Sequence, residues 1–172
     1  MDIHAFLDKF LGDWFSQRTI YHIPENKVDN SKANISLTPV SIEDSRVSSL
    51  SQSHNLNLDL FLTGILSQWD NSPDWGKPKQ KGETLILFFR DKNELNQGTV
   101  VRVINPQQIV RGTYTLAEDE SLTLRVNNNG QSLEERVTFA SDNLRLRNTI
   151  LKQGNAVRQT CFYSEIRRVV KN

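Results

Sequence analysis

The sequence predicts an all-β protein: an antiparallel up-and-down barrel of about ten strands, with a short N-terminal helix and one further short helix. Three observations carry this reading. Nearly all of the chain beyond Gly12 falls into short runs rich in β-branched and aromatic residues. Polar turns separate the runs, and Asn129-Gly130 is the strongest of them because both residues tolerate positive φ. No helix-period segment lies between the later runs, so consecutive strands pair as a meander. Closing that meander removes its vulnerable edges.

In chain order, the first eleven residues read as a helix. Ala5, Phe6, Leu7, Phe10 and Leu11 recur at helical spacing, Asp2 is the N-cap, and Gly12 is where a helix stops. Strands are expected at Trp14–Ile23 and Ala33–Val40. A second helix follows from about Ser41 to Ser53, with Ser41 and Asp44 as a capping box and Val47 and Leu50 as a narrow apolar stripe. Eight more strands are expected: Leu58–Trp69, Thr84–Arg90, Thr99–Ile104, Gln108–Leu116, Ser121–Val126, Leu133–Ala140, Leu144–Leu151 and Ala156–Val169. There is no internal repeat, and residues 1–172 are expected to form a single domain.

Composition narrows the function classes. Among 172 residues, 21 Lys and Arg stand against 20 Asp and Glu, a net charge of +1, which argues against a nucleic-acid partner. Cys161 is the only cysteine, so an intrachain disulfide and a cysteine-built zinc site are excluded. His4, His22 and His54 share no metal-ligand spacing, and no metal is expected. No apolar run approaches the roughly 18 residues of a membrane helix. The charged start does not read as a signal peptide. A soluble, cytoplasmic protein without a membrane role is the expectation.

Four constellations bear on function. Residues 70–82 form a long, polar, basic loop with Trp69 at its start and Trp75 inside it. It is either a mobile hairpin tip or a lid over a barrel mouth whose indoles stack on a flat ligand. Gly12-Asp13-Trp14, a Gly-x-Trp after a short helix, resembles the lipocalin/calycin signature. There the Trp plugs the closed end under an Arg from near the last strand, a place Arg167 and Arg168 are positioned to fill. Arg18 shares strand parity with Trp14, but both faces of that strand carry apolar residues, so parity leaves its direction open. In Asn143–Thr149, Arg145, Arg147 and Thr149 lie on one face, with Leu144, Leu146 and Ile150 on the other. Either the leucines are core and the arginines solvated, or the lumen is polar and a helix covers the leucines outside. In the second case the arginines take carboxylates, and Glu135 is their partner in the empty barrel. Cys161, in a strand interior, reads as buried and inert. There is no G-x-S-x-G, P-loop or dinucleotide turn.

Three segments together resemble a known family. They are Trp14-Phe15-Ser16-Gln17-Arg18-Thr19, then Glu134 to Arg147 with its Phe139-Ala140-Ser141-Asp142-Asn143-Leu144-Arg145-Leu146-Arg147, then Phe162-Tyr163-Ser164-Glu165-Ile166-Arg167. They look like the phycobiliprotein chromophore lyases of the S/U type, the CpcS/CpeS/CpcU group. The resemblance implies a lipocalin-like barrel that binds an open-chain tetrapyrrole, typically phycocyanobilin. Such a protein delivers the bilin to a cysteine of an apo-phycobiliprotein subunit of phycocyanin or allophycocyanin type, forming a thioether. It implies that Arg18, Arg145 and Arg147 hold the two propionates, that Thr149 stands at a family serine, and that Glu135 meets the pyrrole N–H groups. Glu135 and Arg147 are then the pair that carries the chemistry, with Trp69 and Trp75 around the bilin. Tyr21, Thr138 and Asp142 depart from the family pattern. The chain is therefore read as a lyase acting as a homodimer or with a second S/U-type chain. The alternatives are a U-like partner active only beside such a chain, or a non-catalytic carrier of a bilin or other hydrophobic ligand.

Overall fold

The computed structural model describes residues 1–169. The last three residues of the expected 1–172 domain lie outside them. The helix α1 spans Ile3–Phe10, and the Asp2 carboxylate caps it by accepting from the Ala5 N–H. Ile3, Phe6, Leu7 and Phe10 fall on one face at helical spacing and are buried.

Ten strands follow: β1 (Gly12–His22), β2 (Lys27–Val40), β3 (Phe61–Asp70), β4 (Lys81–Arg90), β5 (Gln97–Asn105), β6 (Gln108–Leu116), β7 (Leu122–Asn128), β8 (Gln131–Ser141), β9 (Leu144–Gln153) and β10 (Ala156–Arg167). Each pairs antiparallel with its chain neighbours, and β1 pairs with β10 to close the barrel. Asn129 and Gly130 both take positive φ in the β7–β8 turn, as their residue types predict.

Most strand ends shift by a few residues from the sequence reading, and three differences have a clear physical cause. β2 begins six residues early, at Lys27, because its polar first half is held by pairing with β1 rather than by a buried face. Leu58–Leu60 is a 3₁₀ turn, its start capped by the Asn57 side chain, so β3 begins at Phe61. The second helix, α2, is Ser45–His54, and its N-cap is Asp44, not Ser41. The Asp44 carboxylate accepts from the Arg46 N–H, whereas Ser41 only turns the chain before it.

The core has two parts on either side of the barrel wall. Inside, α1 and Trp14 pack with Ile65, Phe88, Tyr114 and Val137 and plug one end. Outside, α2 lays Val47 and Leu50 on Leu85, Leu87, Phe89 and Val101. β4 is therefore apolar on both faces: Phe88 looks inward and its two neighbours look outward to α2. This corrects one expectation. The helix covers the outer wall of β4 and β5, not that of β9, and Ile150 on β9 stays exposed. No helix of the described residues is long and apolar enough to cross a membrane.

Candidate functional site

Strand register stacks the inward side chains of β1, β10, β9 and β8 into three rungs. The lowest is Ser16–Glu165–Arg145–Phe139. The middle is Arg18–Tyr163–Arg147–Val137. The upper is Ile20–Cys161–Thr149–Glu135. The lowest rung sits on the plug, and from the other two Arg18, Tyr163, Arg147, Cys161, Thr149 and Glu135 line a cavity.

At the plug, Trp14 donates from Nε1 to the Phe10 carbonyl at 2.9 Å. Two guanidiniums stack on its ring, Arg167 at 4.2 Å and Arg145 at 4.6 Å. Arg167 also donates to the carbonyls of Leu11, Lys9 and Asp142, joining the last strand to α1. Arg145 is 2% exposed and hydrogen-bonds through Nε to Glu165 Oε1 at 2.9 Å, and Glu165 is wholly buried. Burial lowers the Arg145 proton affinity, with Glu165 opposing it. Burial works to raise the Glu165 carboxyl, but Arg147 and Arg145 overcome it and hold the acid below its ordinary value of 4.5.

Above the plug lies a half-open cavity of about 620 Å³, within the usual range of small-molecule sites. Arg147 reaches into it from β9. Its Nε is 2.7 Å from Glu165 Oε1, its Nη1 is 3.4 Å from Glu135 Oε1, and its guanidinium sits 4.0 Å from the Tyr163 ring. Burial opposes its charge, but the two carboxylates outweigh that, so its proton is held more firmly than usual. Arg18 lines the same wall and donates from Nε to Ser31 Oγ at 2.9 Å. Thr149, Glu135 and Cys161 line the upper part. Cys161 is buried, its sulfur 3.4 Å from Gln159 Nε2. Five cationic side chains line the cavity (Arg18, Lys32, Lys77, Arg102 and Arg147) against two carboxylates, Asp74 and Glu135. A surplus of positive charge in a low-dielectric cleft attracts anions.

Of the two tryptophans, Trp69 on β3 lines the cavity and packs against Gly82, where a Cβ would come within 2.8 Å of the indole. Trp75 is 89% exposed and does not line the cavity. The loop between β3 and β4 is laced to β2 at and beyond the end of its pairing with β3. The Lys32 N–H donates to Asp74, Lys77 bridges Asp74 and the Asn30 carbonyl, and Asn34 donates to Ser72. The loop thus rims the mouth with its polar side chains and turns Trp75 to solvent.

The barrel brings Arg18, Trp69, Glu135, Arg147 and Thr149 together around one cavity. It does not bring Arg145 or Trp75 there. Arg145 is sealed beneath the floor because α1 and Trp14 close over it, and Trp75 faces out because the polar ends of its loop bond to β2. Both placements are geometric. The sequence alone does not single out Glu165 and Tyr163 as site residues. Their alternation along β10 was legible, but the register that places them beside Arg145 and Arg147 was not.

The chain matches the family model described as CpeS-like protein over residues 2–168. It is 36% identical over 171 residues to chromophore lyase CpcS/CpeS 1 of Synechocystis sp., covering 98% of this chain and 92% of that one. It is 26% identical over 170 residues to the phycocyanobilin lyase subunit CpcS of Picosynechococcus sp., covering 96% and 86%. Among solved structures, the S-type phycobiliprotein lyase CPES from Guillardia theta is similar with a TM-score of 0.84 at 25% identity, over 99% of this chain and 95% of that one. With sequence and fold matched almost end to end, the chain belongs to the CpeS-like family, that of the chromophore lyases CpcS/CpeS.

Proposed function

We propose that this protein is a phycobiliprotein bilin lyase. It takes an open-chain tetrapyrrole, phycocyanobilin or a close relative, into the barrel and delivers it to a cysteine of an apo-phycobiliprotein subunit of phycocyanin or allophycocyanin type. The reaction is cytoplasmic, and the protein acts as a homodimer or beside a second S/U-type chain. The observation that carries the reading is a cavity of about 620 Å³ with five cations against two carboxylates and an indole on its wall. A bilin is a flat conjugated body with two propionates, the ligand such a cavity suits.

The residues divide the work. Arg18 and Arg147 each take a propionate, Arg147 bidentately. The Arg147–Glu135 contact is long at 3.4 Å, so a propionate that approaches more closely displaces Glu135. The freed Glu135 carboxylate then accepts from the pyrrole N–H groups, with Thr149 beside it on the paired strand. Arg145 contributes from below, by fixing Glu165 and through it Arg147. Trp69 stacks on the tetrapyrrole, and Trp75 closes over the mouth when ligand is present. The acceptor thiolate adds to the ethylidene carbon and the tetrapyrrole takes up a proton. This addition has no leaving group and needs chiefly orientation and shielding.

The test is to mix the purified protein, phycocyanobilin and an apo-subunit, with and without a second S/U-type chain. A covalent, zinc-fluorescent subunit supports the reading. A visible-range spectral change without adduct would make the protein a carrier. Product only with the second chain would make it a partner subunit.

A further inference from the structure

The middle rung places one residue between the two arginines of the cavity. Arg18 on β1 pairs with Tyr163 on β10, and Tyr163 pairs with Arg147 on β9. Neighbouring strands lie about 4.8 Å apart, so the two arginine backbones are about 10 Å apart with one aromatic residue between them. Arginine side chains are long enough to converge across such a gap, and two guanidiniums on one carboxylate would leave a second carboxylate unheld. The Arg147 guanidinium lies over the Tyr163 ring at 4.0 Å, and that of Arg18 lies over the same ring at 6.0 Å. Each is restrained on its other side, Arg147 by Glu165 and Glu135, and Arg18 by Ser31.

We propose that Tyr163 is a positioning residue whose ring spaces the two guanidiniums, so that the cavity selects a ligand carrying two carboxylates at a fixed separation. This rests on the reading that bilin is held through its propionates. An aromatic ring suits the place because guanidiniums stack on its face, and an aliphatic side chain of similar bulk offers neither the face nor the attraction. The ring does the spacing, and the hydroxyl lies within reach of Arg18.

The experiment is an absorbance titration of wild type, Tyr163→Phe and Tyr163→Leu with phycocyanobilin and with its dimethyl ester, read as the ratio of the two affinities. Wild type is expected to favour the diacid strongly and Tyr163→Phe to keep that ratio. Tyr163→Leu is expected to reduce it about tenfold while the ester binds about as before. A merely structural role would weaken both ligands together and leave the ratio unmoved, and that result overturns the proposal. So does loss of the ratio in Tyr163→Phe, which would put the effect in the hydroxyl. If Tyr163→Leu does not fold, Tyr163→Met reads the same ratio. A wild type that binds acid and ester alike would instead refute the propionate reading itself, and this inference with it.

Discussion

Arg145 and Arg147 stand two residues apart on β9, point the same way and share one carboxylate, yet they occupy different surroundings. Arg145 has Trp14 and Phe10 over its guanidinium and no route to water. Arg147 has the same Glu165 below it but an open cavity above. Side-chain chemistry and strand parity are identical, so what separates them is α1, which closes over one and not the other. A buried ion pair is a weak source of net stability, but breaking it is costly because a charge is left behind without its partner. Below the cavity floor the pair serves the fold, and above it the same carboxylate holds a guanidinium that faces an open cavity.

The comparison can be broken most sharply at the shared carboxylate. Glu165→Ala leaves Arg145 buried and unpaired, and is expected to cost about 3–5 kcal/mol in urea unfolding. Arg145→Ala should be nearly as damaging to the fold. Arg147→Ala should leave the unfolding midpoint close to wild type, since Glu165 keeps Arg145, yet weaken phycocyanobilin binding by about 1.5–3 kcal/mol in an absorbance titration. If instead both arginine variants lost stability and affinity together, the floor would not separate two roles.

Acid should expose the same difference. Glu165 is held ionised below its ordinary value of 4.5, so in that range the folded state binds fewer protons than the unfolded one. Its contribution to stability is complete above about pH 4.5 and is lost as pH falls toward its depressed native value. Glu165→Gln should flatten this acid limb in a pH series of denaturant midpoints, and an unchanged slope would remove Glu165 as its cause. The smallest effect is expected at Trp75. Trp75→Ala should shift stability by no more than about 0.5 kcal/mol, as for other exposed positions, while speeding bilin release in stopped-flow absorbance.

Much of the fold was legible because strand alternation and turn chemistry are local. Asn129-Gly130, the caps of α1 and the antiparallel order all follow from residues within a few positions of one another. The register across β10 was not legible, since it depends on how ten strands close. For that reason Arg145 and Arg147 read in the sequence as one pair of ligand arginines, and nothing there marks Glu165, which lies between them in space. The polar start of β2 and the lacing of its edge by the 71–80 loop were hidden for a related reason. Neither has a hydrophobic pattern, and both exist only because a partner segment supplies their hydrogen bonds.

The three tryptophans give this barrel a built-in optical probe. Trp14 is fully buried with two guanidiniums on its ring, so its emission is expected at short wavelength and out of reach of iodide. Trp69 is only 37% exposed, and Trp75 stands 89% free in water, emitting furthest to the red. Emission collected at the red edge, with quencher titrated in, is therefore expected to report chiefly on the rim. Any change there on adding a ligand can be followed in the unlabelled protein.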